Sequence, residues 1–168
     1  MKRNGKKMGK LIEIFKRFKI TNISLSTEAA GIEISYTNWD SEAAWLLYVE
    51  LLTRITTQPL SEDTGVEKTA LESVYKLFPL TREILKSYGK NAMNFSKISI
   101  IILNQKIRPF TAKWHSLSEK NAFDSLEKCH QFRTELEELR KVLVSYTKLL
   151  AEMANVEDLS NLSSDYEQ

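Results

Sequence analysis

One polar stripe carries the residues of this chain that could do chemistry. The stripe consists of Asn104, Arg108, Thr111, Lys113, Trp114 and His115. Four of these positions, at i, i+4, i+7 and i+11, fall within roughly 40° of one line on a straight helix. Histidine can exchange protons near neutral pH because its unperturbed pKa is about 6.5, and arginine binds phosphate oxygens through a planar fork. A polar stripe on a helix whose other faces are apolar is therefore the place where chemistry is expected.

Pro109 lies within the stripe and predicts a kink, because proline removes a backbone donor and clashes with the preceding turn. Such a kink would rotate the two halves of the stripe. The structural alternative is that Arg108 and His115 satisfy carboxylates or carbonyls inside a helical bundle. The candidate carboxylates are Glu50, Glu72 and Glu83.

Arg108 and His115 resemble the R-x(4–6)-H pattern of HEPN domains, a helical family that includes metal-independent ribonucleases. The resemblance implies that His115 acts as acid or base on a ribose hydroxyl while Arg108 holds the phosphate. The family usually has a polar residue after the arginine, where this chain has Pro109.

A longer resemblance covers most of the chain and rests on the segments 43–54, 80–85 and 103–115, the last of which contains R-P-F-T-A-K-W-H. These segments are similar to a family of small, mostly helical bacterial proteins associated with mobile or antiphage-defence gene clusters. The resemblance implies a setting in bacterial defence and supplies no mechanism.

The charge of the chain is divided between its ends. The net charge is only +2, yet residues 1–19 contain eight Lys or Arg and one acid, Glu13. After Lys148 every charged residue is acidic. Such asymmetry favours electrostatically steered contacts within the fold or with another chain. A basic N-terminal helix could also bind nucleic acid or a membrane surface. The residues predicted to do so are Lys6, Lys7, Lys10, Lys16 and Arg17.

Composition indicates one helical domain in a reducing compartment. The chain has 168 residues, with five glycines and three prolines, which favours helices over a loop-rich β-sandwich. Cys129 is the single cysteine, so we expect neither a disulfide framework nor a zinc cluster. With no glycine-rich phosphate loop and no long apolar run, we expect no cofactor, no metal, no transmembrane segment and a cytoplasmic location.

Hydrophobic periodicity predicts a mostly α fold, a bundle of four to five helices with one N-terminal β-hairpin. We expect a basic, disordered N-terminus at 1–7, one domain at 8–155 with the hairpin at about 18–36, and an acidic tail at 156–168. Helices are predicted at about 8–18, 42–57, 67–88 with an interruption at Pro79, 91–110, and through a long final helix to Ala154.

Two local features of the predicted helices have consequences for contacts. Asp40 or Ser41 is the predicted N-cap of the helix over 42–57. Glu50 and Arg54 stand at i, i+4 in the favourable order for an ion pair, with Arg82 as a further candidate.

These patterns favour an interaction subunit over an enzyme. The hairpin edge, the N-terminal helix and the acidic tail offer docking surfaces, and no catalytic set is complete. We expect a larger protein partner or a homo-oligomer, in an assembly that would fit antiphage defence. Two hypotheses of other classes stay open: a HEPN-like ribonuclease using Arg108 and His115, and a nucleic-acid or membrane-surface binder using the basic N-terminus.

Overall fold

The computed structural model of the chain describes residues 9–19, 33–54 and 57–160. Within these ranges the chain forms seven α-helices, α1 to α7, and two strands, β1 and β2. The helices are α1 (Leu11–Arg17), α2 (Asn38–Leu52), α3 (Glu67–Tyr75), α4 (Leu77–Tyr88), α5 (Met93–Ile102), α6 (Arg108–Ser118) and α7 (Leu126–Ala154). A π-helical turn, Leu103–Ile107, joins α5 to α6, and a 3-10 turn, Ala122–Asp124, precedes α7. The prediction of a mostly helical bundle is confirmed.

The prolines divide two of the long helical units where their chemistry requires it. Pro79 cannot donate to the carbonyl four residues earlier, and α3 ends at that residue, Tyr75, before α4 begins. The isoleucine-rich residues 98–102 are helical, as predicted for the helix over 91–110, since they form the end of α5. α2, α3–α4, α5–α6 and α7 therefore form four long helical units, accompanied by the short α1.

The centre of the bundle lies between α2 and α7, and α2 also contacts α4 and α5. Large side chains from most helices are almost fully excluded from solvent. They include Leu47, Leu51, Leu71, Leu77, Phe95, Ile98, Ile102, Trp114, Phe132 and Leu143. One buried polar link crosses this core, where the hydroxyls of Ser99 and Tyr146 lie 2.8 Å apart. Burial raises the pKa of Tyr146, so its hydroxyl keeps the proton that this hydrogen bond uses.

The predicted β-hairpin at 18–36 is wrong. Phe18 and Lys19, at its start, form the turn that closes α1. At its end, Glu33–Ile34 (β2) pairs antiparallel with Gly9–Lys10 (β1), which lies upstream of α1, and each strand has two residues. The rest of the predicted hairpin, residues 20–32, and the predicted disordered N-terminus, residues 1–7, lie outside the described residues.

The start of α2 differs from the prediction and is fixed by a buried aspartate. The N-cap is Thr37, whose hydroxyl accepts from the Asp40 N–H, while the Asp40 carboxylate accepts from the Thr37 N–H at 2.9 Å. This is a capping box with Asp40 at the third helical position. Asp40 is fully buried, and its second oxygen accepts from the Phe95 N–H at 2.9 Å. The carboxylate thus joins the first turns of α2 and α5.

Arg133 of α7 holds the loop between α2 and α3. Its guanidinium donates to Glu67 Oε1 at 2.6 Å and to the carbonyls of Ser61 and Gly65 at 2.8 and 2.9 Å. Gly65 is required in this loop because a Cβ there would overlap the Ser61 carbonyl oxygen. The loop is therefore tied to the bundle by a planar donor that matches three acceptors at once.

The chain after α7 turns back onto α2. Asn155 adopts a left-handed conformation and ends the helix. The Tyr48 hydroxyl then accepts from the Leu159 N–H at 2.8 Å and donates to the Glu157 carbonyl at 3.3 Å. The first residues of the predicted acidic tail lie against the bundle, and residues 161–168 fall outside the described part of the chain. Within the described ranges, no helix has the length and apolarity to cross a membrane.

Candidate functional site

The polar stripe lies on the long unit formed by α5, the π-helical turn and α6. Pro109 has no N–H to donate, and just before it the helix widens into the π-helical turn, which contains one extra residue per turn. The Arg108 N–H bonds to the Leu103 carbonyl, five residues back. Because the widening rotates Asn104 relative to α6, the stripe is not the straight line that its spacing predicts.

Arg108 lies exposed at the start of α6. Its Nε donates to Asn104 Oδ1 at 3.1 Å, and its Cζ stands 5.0 Å above the centroid of the Phe78 ring on α4. A guanidinium over an aromatic face is attracted by the ring quadrupole. The amide and the ring thus orient Arg108, and neither is a carboxylate.

His115 lies two turns further along α6, beside Tyr75 at the end of α3. The two rings meet edge to face with centroids 5.1 Å apart. His115 Nε2 is shielded from solvent and has no hydrogen-bond partner among the described residues. The carboxylates proposed as structural partners, Glu50, Glu72 and Glu83, hold neither His115 nor Arg108 in an ion pair of the described chain.

This arrangement does not assemble an acid–base pair around a phosphate. Positions 108 and 115 of the regular helix α6 are separated by about 10 Å along its axis. Arg108 lies on Phe78 and His115 on Tyr75, and Nε2 of His115 is shielded from solvent although the residue is partly exposed. The ribonuclease hypothesis stays a prediction.

Thr111 and Trp114 of the stripe face the core. The Thr111 hydroxyl, which is buried, donates to the carbonyls of Ile107 and Arg108 at 3.2 and 3.1 Å, as hydroxyls inside helices commonly do. Trp114 is fully buried and donates from Nε1 to Glu135 Oε2 at 3.0 Å. Both residues have structural surroundings.

Glu135 of α7 is the acceptor that ties α6 to α7. It accepts from Lys113 Nζ and Trp114 Nε1 of α6 and from Gln131 Nε2. Burial on its own raises the pKa of Glu135, and the hydrogen bonds from Lys113, Trp114 and Gln131 outweigh this effect and hold it below its usual value. Lys113, predicted as a functional cation, is therefore engaged within the fold.

The lowered pKa of Glu135 predicts a pH-dependent stability. A carboxyl whose pKa is lower in the folded than in the unfolded state stabilises the fold at every pH above the unfolded pKa, which is about 4.3 for Glu. This contribution is lost as the pH falls through the folded pKa. We expect Glu135→Gln to be less stable than the wild type at pH 7, with the difference shrinking below about pH 4.3. Urea unfolding at several pH values checks this, and a difference independent of pH would contradict it.

The other predicted charged residues occupy separate places. Arg54 Nη2 lies 2.6 Å from Glu50 Oε2. Arg82 is exposed on α4 and forms no ion pair with the described part of the chain. Lys16 and Arg17 are exposed at the end of α1, where Arg17 Nη1 lies 3.8 Å from Glu152 Oε1 of α7. The basic N-terminal and acidic C-terminal regions thus meet within the fold.

The remaining predicted N-terminal residues give little geometry. Lys10 lies in β1, and Lys6 and Lys7 lie outside the described residues.

Cys129 donates to the Phe123 carbonyl at 3.2 Å, and burial, with Glu67 beside it, raises the pKa of the thiol. A protonated thiol is a poor nucleophile. The described ranges contain no group of three or more residues that could hold a metal ion.

The sequence did not reveal an exposed apolar face on α2. The inner side of the helix is buried in the bundle, but its outer side carries large apolar residues that face solvent. Their exposed fractions are 49% for Trp39, 45% for Trp45, 41% for Leu46 and 37% for Val49. These residues, with Glu42, define the α2 outer face. The sequence did contain a signal, because apolar residues occur on all sides of α2. A helix with one side in solvent usually has polar residues on that side.

The α2 outer face borders a shallow groove. Glu42, Trp45 and Leu46 of α2 line it together with Tyr88 of α4 and Val156. Trp39 packs against Tyr88 with ring centroids 6.2 Å apart. Aromatic side chains half open to solvent at the edge of a groove are typical of protein-binding surfaces.

Comparison with known proteins gives no relative. No protein-family model matches the chain, and neither a curated protein nor a solved structure is significantly similar to it. The resemblances noted from short segments stay predictions. Function has to be argued from the surfaces of this molecule.

Proposed function

We propose that the protein is a non-catalytic helical interaction subunit that binds a larger protein partner through the α2 outer face. The observation that carries this proposal is the exposure of two tryptophans, a leucine and a valine on one side of a helix whose other side is buried. Tryptophan dominates the binding energy of many interfaces because it buries a large area at a low entropic cost.

The charge around this face specifies the kind of partner. Glu42 lies on the outer face itself, whereas the other two acids of α2 are engaged elsewhere, Asp40 with Phe95 and Glu50 with Arg54. Glu157 and Asp158 lie nearby, because Tyr48 of α2 holds the segment that contains them. We therefore propose a partner surface with an apolar centre and a basic rim. A second copy placed face to face would oppose acidic rims, which electrostatic complementarity disfavours.

The setting of this proposal rests on the resemblance of the segments 43–54, 80–85 and 103–115 to bacterial proteins of mobile or defence gene clusters. We propose an accessory role in such an assembly, in the cytoplasm, with the partner supplying any chemistry. Two features support a non-catalytic role: the shielded His115 Nε2 and the engagement of Lys113 and Trp114 by Glu135.

A surface variant tests the proposal. We expect Trp45→Glu combined with Leu46→Glu to weaken partner binding by at least about tenfold, because a charge would replace the centre of the apolar contact. Leu126→Glu is the matched control, since Leu126 is an apolar residue of α7 that is 81% exposed. Tagged wild type and both variants would be isolated from the native host, the co-purifying protein quantified by mass spectrometry, and its affinity measured with purified components.

Three outcomes would overturn the proposal. The wild type could purify from its native host as a free monomer, or the α2 variant could retain the partner as well as the control does. The wild type could also form a homodimer, seen by light scattering, that the α2 variant loses, which would make the occupant a second copy. Circular dichroism on each variant excludes unfolding as the cause of lost binding.

A further inference from the structure

Positive charge is concentrated on one part of the fold. Residues 76–118, which form α4 to α6 with the junction before α4, contain eight basic residues and a single acid, Glu83. The basic residues are Lys76, Arg82, Lys86, Lys90, Lys97, Lys106, Arg108 and Lys113. The chain as a whole has a net charge of only +2, so this region is set apart from an acidic remainder.

Most of this charge is free of internal partners. Seven of the eight side chains are exposed, and Lys106 is half-buried. Lys113 pairs with Glu135, and Lys106 donates to the Lys19 carbonyl at 3.2 Å. The other six form no ion pair with the described residues. By contrast, three bases of α7 form salt bridges within the fold: Arg133 with Glu67, Arg140 with Glu137 and Lys141 with Glu138.

The two helical units that carry these bases run side by side. At one end, the turn at 89–92 connects α4 to α5, and the Ser96 hydroxyl donates to the Gly89 carbonyl at 3.1 Å. At the other end, Arg108 of α6 lies over Phe78 of α4. The units are therefore antiparallel and in contact at both ends of α4.

Both units carry bases at exposed positions. Arg82 and Lys86 follow Phe78 at i+4 and i+8 on one side of α4. Lys97, Asn104 and Arg108 recur on the exposed side of the opposite unit. From Lys97 to Arg108 the surface extends about 16 Å, which spans several phosphates, since one strand of a duplex has one per 3.4 Å of axis. We call Arg82, Lys86, Lys97 and Arg108 the basic face.

The Arg108 guanidinium is held in an orientation that can bind an anion. The Phe78 ring and the Asn104 amide fix the plane of its guanidinium through one nitrogen, and its two terminal nitrogens have no partner among the described residues. A guanidinium presented in this way can donate two parallel hydrogen bonds to a phosphate.

We propose that the basic face binds the phosphate backbone of a nucleic acid. A membrane surface fits less well, because only Met93 and Ile100 of α5 are exposed apolar residues beside this face, whereas Ile84, Phe95 and Ile98 are buried, and a helix that lies in a membrane surface needs a continuous apolar face. The site is separate from the α2 outer face, so the protein can hold a nucleic acid and a protein partner at once.

Fluorescence anisotropy with a labelled 20-nucleotide single-stranded RNA and the full chain, between 50 and 200 mM salt, tests this. We expect Arg82→Gln combined with Arg108→Gln to weaken binding about tenfold or more and to reduce the slope of log K against log salt by roughly 1.4, the loss of two contacts. Arg140→Gln combined with Lys141→Gln is the matched control, because it removes the same charge from α7. We expect it to change the affinity by less than about twofold, and Arg82→Lys with Arg108→Lys to restore the salt slope.

Several results would overturn the proposal. The wild type could fail to bind RNA at 50 mM salt, or both double glutamine variants could weaken binding equally, which would indicate net charge alone. Binding could instead depend on Lys6, Lys7 and Lys10 and be indifferent to Arg82 and Arg108. Stronger, equally variant-sensitive binding to vesicles containing phosphatidylserine would assign the face to a membrane. The α2 variant Trp45→Glu with Leu46→Glu is expected to bind RNA as the wild type does, which separates this test from that of the protein partner.

Discussion

Replacement of Asp40 by alanine is expected to lower the free energy of unfolding by about 3 kcal/mol, because it removes charge-assisted hydrogen bonds and leaves buried donors unpaired. The carboxylate is fully buried and accepts from the Phe95 and Thr37 N–H groups, both at 2.9 Å. It also accepts from the Thr37 hydroxyl at 3.0 Å and from the Asn94 amide at 3.3 Å. After the substitution, the Phe95 N–H has no acceptor, and water cannot easily replace one at a buried site.

Thermal and urea unfolding would measure this effect, which corresponds to a fall in Tm of about 9 °C for a chain of this size. Asp40→Asn should also destabilise the fold, since an amide nitrogen would face the donors of Thr37 and Asn94. Glu42→Gln is the control on the same helix, because Glu42 is exposed, and we expect its effect to stay within about 0.5 kcal/mol. Equal stability of the Asp40 and Glu42 variants would contradict the account of the α2–α5 junction.

The role of Asp40 shows what a sequence can and cannot convey about a helix start. Its residue type predicted a cap near the beginning of α2, and the order Thr37-x-x-Asp40 matches a capping box closely enough to have identified Thr37. The bond to Phe95 could not be predicted, because it joins positions 55 residues apart that only the packing of α2 against α5 brings together.

Proline effects were predictable because they are local. Pro79 and Pro109 each lack a backbone donor, and the helix is interrupted a few residues before each of them. The form of the interruption differs, with a break between two helices at Lys76 and a π-helical turn at Leu103–Ile107. The choice between these depends on what the neighbouring helices allow, which the sequence does not state.

The β-hairpin was mispredicted because alternation of apolar and polar residues describes a segment and not its partner. β2 pairs with β1 across the intervening helix α1, a contact set by tertiary structure. The polar stripe shows a related limit of sequence patterns. The neighbours of α6 decide which of its residues are buried, and Thr111 and Trp114 face the core.

The two proposed surfaces differ in chemistry and lie on different helices. The α2 outer face combines two tryptophans with one acid, Glu42, whereas the basic face on α4, α5 and α6 presents a row of cations beside only two exposed apolar residues, Met93 and Ile100. An apolar surface with a charged rim suits a folded protein, and an extended row of cations suits a polyanion. A subunit with both could place a protein partner next to a nucleic acid, which is a role that needs no catalytic group of its own.

Trp114 separates a structural from a functional interpretation of the polar stripe. We expect Trp114→Ala to lower the free energy of unfolding by about 4 kcal/mol, the usual range for removing a large buried aromatic side chain. The indole is fully buried, stacks on Phe123 at a centroid distance of 5.9 Å and meets Phe132 edge to face at 5.1 Å. Its loss would leave a cavity between α6, α7 and the 3-10 turn.

Trp114→Phe distinguishes packing from hydrogen bonding, because it keeps an aromatic ring but removes the donor that Glu135 accepts at 3.0 Å. We expect this variant to lose about 1.5 kcal/mol, the lower end of the range for a hydrogen bond to a charged group, because the Glu135 side chain is partly exposed. Lys113→Gln is the exposed neighbour for comparison. If urea unfolding shows Trp114→Ala to be as stable as the wild type while partner or RNA binding is lost, the indole belongs to a binding site. A large loss of stability with binding preserved at low temperature would instead establish that Trp114 fixes α6 on α7, and that the residues exposed beside it carry the function.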